Sequence, residues 1–252
     1  MESNRRAVGA PVSEAERKLR VELAACYHLA HLEGWDELIY NHISARVPGP
    51  DHHFLINPVG LTFEEVTASN LIKVDLEGNI IGDSAYSVNA AGFTIHSAIH
   101  AARPDVGCIL HFHTVAGMAI STLQDGLLPV TQTAMLFLDD IAFHDYEGIA
   151  FDLDERARLV RDLGDKSILL LRNHGTLVAR ATIGQAFIAM YLLEKAARAQ
   201  LQILASGRNL VTPSAHSAKA TSEVGRSGRG GEEIGWQAML RRLDRVDVTY
   251  KA

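Results

Sequence analysis

Two histidines flank a single residue at the end of an apolar run, Cys108-Ile109-Leu110-His111-Phe112-His113, and a third stands in Arg172-Asn173-His174-Gly175. In an extended strand, side chains two residues apart share a face, so His111 and His113 present their imidazoles side by side. His174 follows a second apolar run, Ile168 to Leu171, which reads as another buried strand. Open α/β sheets place their ligands at strand ends. If these two ends meet, three imidazoles converge into the ligand set of one divalent metal, with a position left open for water or substrate. Zinc is the first expectation, and imidazole also suits manganese, iron or cobalt. A His-x-His pair alone is more often surface decoration or a satisfied core pair. What favours the metal is the third histidine, also at a strand end and beside a glycine that permits close backbone approach.

The elements that must position these residues can be read from periodicity. Ser13 and Glu16 make a capping box, and Leu19, Leu23, Cys26, Tyr27 and Ala30 recur at helical spacing until Gly34 closes the helix near Glu33. Ile43–Val47, Phe54–Asn57 and Leu71–Leu76 read as strands, followed by a helix from Gly92 to Ala102. A strand over Gly107–His111 precedes a helix over Ala116–Thr122; a helix over Glu155–Leu163 precedes the strand Ile168–Leu171. Thr182 and Gln185 open a long helix to Ala205. It is apolar over much of its circumference, which suits either a central core helix or a face covered by another subunit.

These elements define one α/β domain over residues 13–207, preceded by a flexible arm, residues 1–12. A Ser-, Gly- and Lys/Arg-rich stretch, 208–231, reads as a mobile connection. Residues 232–252 follow as a helix and tail, with Trp236, Met239, Leu240 and Leu243 on one face. The chain has 252 residues, is 47% hydrophobic and carries a net charge of −6, which argues against nucleic acid or an anionic membrane surface as partner. No run is long enough to span a membrane, and the first ten residues lack the apolar core of a signal peptide. The two cysteines, Cys26 and Cys108, lie in apolar stretches and read as buried reduced thiols, so a cytoplasmic location is expected.

With these residues in view, the chain resembles the class II aldolase/adducin family, and the adducin head more than the sugar aldolases. The resemblance rests on Leu38-Ile39-Tyr40-Asn41-His42-Ile43, Phe54-Leu55-Ile56-Asn57-Pro58 and Glu65-Val66-Thr67-Ala68-Ser69. It continues through Val88-Asn89-Ala90-Ala91-Gly92-Phe93-Thr94-Ile95-His96-Ser97, Ala101-Ala102-Arg103-Pro104-Asp105-Val106, Phe143-His144-Asp145-Tyr146 and Leu171-Arg172-Asn173-His174-Gly175. It spans about Ala15 to Gly207. It implies an α/β/α sandwich around a largely antiparallel sheet, a four-fold homotetramer, and one divalent metal per subunit held by His111, His113 and His174. The substrate-facing positions it implies are Asn41, Ser44, Asn57, Gly60, Asn89 and Gly92.

The departures from the family pattern bear on function. In the phosphosugar aldolases the family places an acid/base carboxylate at the position of Gly92, and glycine cannot move a proton. The hydroxyl residues that cradle the substrate phosphate map onto Asn57, Val59, Ala90 and Ala91, three of which offer no donor. Asn41 and Ser44 remain from the first phosphate-facing loop, with His42 between them. The family also supplies a tyrosine across a subunit border, and Tyr250 is the candidate here, with an ordinary exposed tyrosine as the plainer reading. Asp139, Asp140, His144 and Glu147 form a further acidic and imidazole cluster, of a kind that is usually solvated or structural. The resemblance makes His96, one turn from His100, a structural hydrogen-bonder.

Two classes of function follow. The first is a metal-dependent lyase that makes or breaks a carbon–carbon bond, by retro-aldol cleavage or decarboxylation, in a small unphosphorylated hydroxy or keto acid. The second is a non-catalytic, adducin-like oligomeric scaffold. The three histidines and the lack of a long basic tail favour the enzyme. A three-histidine iron site for oxidative cleavage is a further alternative that the spacing admits.

Overall fold

The structure is a computed structural model and describes residues 12–149, 153–227 and 231–252. Apart from Val12, the arm expected over residues 1–12 lies outside the described residues. Helix α1 (Glu14–Leu32) starts where expected: the Ser13 hydroxyl accepts from the Glu16 amide at 3.1 Å. The Glu16 carboxylate, however, turns to Arg20 and Lys73 instead of closing the box. Strands β1 (His42–Arg46), β2 (Phe54–Ile56) and β3 (Ile72–Val74) follow. Then come α2 (Ala90–Ala102), β4 (Cys108–Phe112), α3 (Val115–Thr122), α4 (Gln132–Met135), β5 (Ile141–His144), α5 (Glu155–Leu163), β6 (Ile168–Leu171) and β7 (Gly175–Arg180). The chain closes with α6 (Ile183–Ala205), α7 (Ala215–Arg226) and α8 (Glu232–Leu243).

The seven strands form one sheet in the order β3-β2-β1-β4-β7-β6-β5, antiparallel at every pair except β5–β6. Alternation of side chains along the strands divides the core in two. Cys108, Leu110 and Phe112 face α1, α3, α6 and α8, whereas Ile109, Leu169, Leu171 and Leu177 meet α2 and α5. The α/β/α sandwich is therefore present, and the odd-numbered face of β4, which carries His111, looks towards α2.

Three segments depart from the sequence reading. β5 and β7 form where no strand was expected. Residues 208–231, read as a connection, contain α7, whose N-cap Ser214 accepts from Ser217 N and whose Ala218 and Ser222 are buried. These small residues let α7 pack closely on α4. α6 is a central core helix against β4, β7, α3 and α8, with Phe187, Met190 and Leu193 fully buried. That role accounts for its broad apolar surface without a second subunit.

Candidate metal centre

β4 ends at Phe112, so His111 is the last inward residue of its face and His113 lies one residue past the strand. β6 and β7 form a hairpin whose turn runs through Arg172, Asn173 and His174, closed by His174 N donating to Leu171 O at 3.1 Å. Asn173 takes φ +58°, a conformation asparagine tolerates. Arg172 pins the turn by stacking on Phe143 and donating to Leu123 O at 2.6 Å. Gly175 is required by proximity: a Cβ there would lie 2.4 Å from Phe112 O. The expected close backbone approach beside His174 is thus present, and it brings the hairpin turn onto the end of β4.

The three imidazoles converge. His113 Nε2 lies 3.0 Å from His111 Nε2 and 2.9 Å from His174 Nε2. The outer nitrogens set the tautomers. His111 Nδ1 faces the Thr176 carbonyl at 3.1 Å and His113 Nδ1 faces the Glu37 carboxylate at 2.6 Å, so both protons sit on the outer nitrogens. Two bare Nε2 lone pairs then confront each other, an arrangement that a cation relieves. The separations are close to the ~3.3 Å set by bonds of about 2.0–2.1 Å to a tetrahedral ion. Burial pushes His111 well below the usual imidazole range, with His174 and His113 adding to it; His174 falls to about 4 through burial and the nearby His113 and His144. Neutral imidazoles are the ligand form, and the donor set fits a borderline-soft divalent ion.

Above the triad opens a cavity of about 630 Å³, lined among others by Glu37, Tyr40, His42, Met118, Tyr146 and Asn173. Of the expected substrate-facing residues, Asn89 and Gly92 line it. Asn89 Oδ1 also accepts from Gly92 N at 3.2 Å, at the start of α2. Val59 and Ala90 line it too, presenting apolar groups at two of the positions where the family cradles phosphate. A larger groove of about 830 Å³ along α1 and α8 is bordered by exposed charges of both signs, including Arg17, Lys18, Glu233 and Arg241, and holds no converging donor set.

The other expected site residues lie elsewhere. Ser44 Oγ is committed to His96 Nδ1 at 2.6 Å and His100 Nε2 at 2.8 Å, so it serves the packing of α2 on β1 and gives His96 its structural role. Asn57 Oδ1 accepts from the Tyr27 hydroxyl at 2.9 Å. Asn41 is fully buried outside the cavity lining, with neither amide atom paired. Gly60 occupies a turn at φ +90° and is not itself part of the cavity lining, although its neighbour Val59 is. Tyr250, expected to serve a neighbouring subunit, is 2% exposed within its own chain, and its hydroxyl donates to Asp244 at 2.7 Å. The Asp139–Glu147 cluster is structural. Asp140 holds Ser167 and Arg180, Asp139 faces Ser222, His144 sits between Asp162 and Glu155, and Glu147 pairs with Arg158.

Two residues carry weight that the sequence did not signal. Glu37 sits on a loop anchored by Trp35, whose ring lies 5.1 Å from Phe187 and 5.6 Å from Phe112. His42, the first residue of β1, pairs in register with His111 and lines the cavity.

Comparison with known proteins agrees with this geometry. The family model described as "Class II Aldolase and Adducin N-terminal domain" matches residues 21–201. A Caulobacter vibrioides protein described as "Putative aldolase class 2 protein" is 50% identical over 241 residues, covering 95% of this chain and 94% of its own. Mouse alpha-adducin is 44% identical over 249 residues, 92% of this chain but 34% of the adducin. The solved structure titled L-fuculose 1-phosphate aldolase from Glaciozyma antarctica is 30% identical, covers 98% of this chain and 97% of its own, and superposes with a TM-score of 0.82. The family match over most of the chain, these identities and the shared sandwich fold place this protein in the class II aldolase and adducin N-terminal domain family.

Proposed function

We propose that this protein is a metal-dependent lyase that makes or breaks a carbon–carbon bond in a small, unphosphorylated hydroxy or keto acid, by retro-aldol cleavage or decarboxylation. The observation that carries this reading is the set of three Nε2 atoms with the protons of His111 and His113 turned outward. His111, His113 and His174 would hold one divalent metal per subunit, zinc first, with manganese, iron or cobalt as alternatives. When bound, such an ion supplies Lewis acidity that polarises a carbonyl or carboxylate. Thr176 and Glu37 fix the ring orientations, and Val88, Ile95, Met118 and Ile149 give the cavity apolar walls that limit water. Val59 and Ala90 in place of donors support an unphosphorylated substrate.

The metal-loaded protein, incubated with a panel of 2-keto and 3-hydroxy acids, should release aldehyde or carbon dioxide in a chelator-sensitive manner. Release of neither product by fully metallated protein would overturn the lyase reading and favour the adducin-like scaffold, which the 44% identity to alpha-adducin supports. We also infer a homotetramer, as the family resemblance implies. Light scattering should give four times the 27.5 kDa of one chain, and a dilution-stable monomer would end that inference. A cytoplasmic location is inferred from Cys26 and Cys108, which are free and buried. Among the described residues no helix is long and apolar enough to cross a membrane.

A further inference from the structure

We propose that His42 is a substrate-binding residue of the metal cavity, its imidazole hydrogen-bonding an oxygen of the bound oxyacid from the place where a side chain at position 92 would otherwise stand. The inference rests on the lyase reading above and adds a group that binds and orients the substrate.

Three observations converge on His42. The residue is 4% exposed, lines the cavity and lies across from His111 in the β1–β4 register. Both of its ring nitrogens lack a partner. The other buried histidines each place at least one nitrogen on a protein group: His28 on Asp247 and Val66, His96 and His100 on Ser44, His111 on Thr176, and His144 on Asp162. A buried polar atom left unpaired bears its full desolvation cost, so an imidazole with two such atoms, on a residue that lines the cavity, is a group that a ligand can satisfy.

Gly92 supplies the second line of support. Its Cβ, if present, would lie 2.6–2.7 Å from Cγ, Cδ2 and Cε1 of the His42 ring, closer than any real contact. Gly92 sits within α2 and is absent from the residues of positive φ, so the backbone does not require a glycine there. What glycine provides is room for the imidazole. His96 stands edge-on to His42 with ring centroids 6.1 Å apart, and is itself fixed by Ser44. A neutral imidazole carries one N–H donor and one acceptor. Its N–H suits a carboxylate oxygen of a bound oxyacid.

The test uses the full chain loaded with cobalt(II), and glycolate as the probe. Cobalt content is read by elemental analysis, and glycolate affinity by titration of the cobalt visible bands. His42→Leu should keep its cobalt and bind glycolate about tenfold or more weakly, the loss expected for one hydrogen bond to a charged group. His42→Gln, which retains a donor and an acceptor, should recover part of the affinity and guards against a folding defect in the leucine variant. Gly92→Ala, which must displace the ring, should weaken glycolate without releasing cobalt. Unchanged glycolate affinity in cobalt-loaded His42→Leu overturns the proposal, as does loss of cobalt from both His42 variants, which would make the residue part of the metal site. If wild-type protein binds cobalt but glycolate leaves its spectrum unmoved, the oxyacid reading fails and the role of His42 falls with it. Failure of the wild type to bind cobalt would instead strike the metal centre itself.

Discussion

His113 Nδ1 and Glu37 Oε2 lie 2.6 Å apart, across 76 positions of sequence. The carboxylate holds the proton on Nδ1 and so keeps Nε2 bare and aimed at the other two histidines. It also raises the basicity of the ring as a ligand. Glu37→Gln should therefore weaken zinc binding by about 10-fold, the low end of the usual 10–100-fold range, because the carboxylate is partly exposed. Competition with a chromophoric chelator measures this, and an unchanged zinc affinity would leave Glu37 as a surface partner only.

Gly92 and His42 bear on the sugar-phosphate aldolase activity named for one structural relative. No carboxylate is available at position 92, and Val59 and Ala90 offer no donors to a phosphate. The protein should not cleave fuculose 1-phosphate, rhamnulose 1-phosphate or ribulose 5-phosphate. Turnover of about 1 per second or more in an aldolase assay would contradict that. Gly92→Glu alone should not create the activity, since the new side chain meets the His42 ring.

The buried histidines of α2 make stability pH-dependent. Burial, together with the Arg46 charge, pushes His100 from 6.5 down to about 3. The unfolded chain therefore binds a proton that the folded chain refuses. The stability this confers is fully present above pH 6.5 and drains away as pH falls towards 3. His100→Gln keeps a partner for Ser44 but cannot take a proton. It should cost about 1 kcal/mol at pH 8 and show a shallower loss of urea stability between pH 6.5 and 4. Parallel pH profiles for variant and wild type would refute the assignment.

Gly175 couples fold to site. Gly175→Ala would place a Cβ against Phe112 O, forcing the β6–β7 hairpin away from β4. We expect a loss of about 1–3 kcal/mol in urea unfolding together with weaker metal binding, since His174 rides on the same turn. Lost stability with unchanged metal affinity would show that the hairpin position and the triad are independent.

How far the sequence was readable depended on whether its signal was local. α1 and α6 declared themselves through Ser13 and Thr182 at their N-caps, and β4 and β6 through unbroken apolar runs ending in histidine. β7 escaped because both of its faces are covered and Thr176 is fully buried, so Gly175–Arg180 shows no alternation. β5 is a short edge strand with Phe143 38% exposed, and only its parallel pairing with β6 makes it a strand. The small and polar residues of α7 read as a connection, although they are what lets that helix pack on α4. In the centre, His111, His113 and His174 could be found by spacing and strand ends. Glu37 could not, because its contact is made by a loop that Trp35 anchors from the core. Ser44 and Asn57 were expected at the site from family position alone, and local hydrogen bonds hold both outside the cavity lining.

The most direct measurement is elemental analysis of wild-type protein and His113→Ala, each reloaded with zinc, freed of excess and checked for folding by circular dichroism. His113 Nε2 is the atom within 3.0 Å of both other ligand nitrogens, so its removal leaves two imidazoles, too few to hold the ion tightly. Near-stoichiometric zinc in the wild type and little in the variant is the predicted result. Full zinc occupancy in folded His113→Ala would contradict the three-histidine centre on which the proposed chemistry depends.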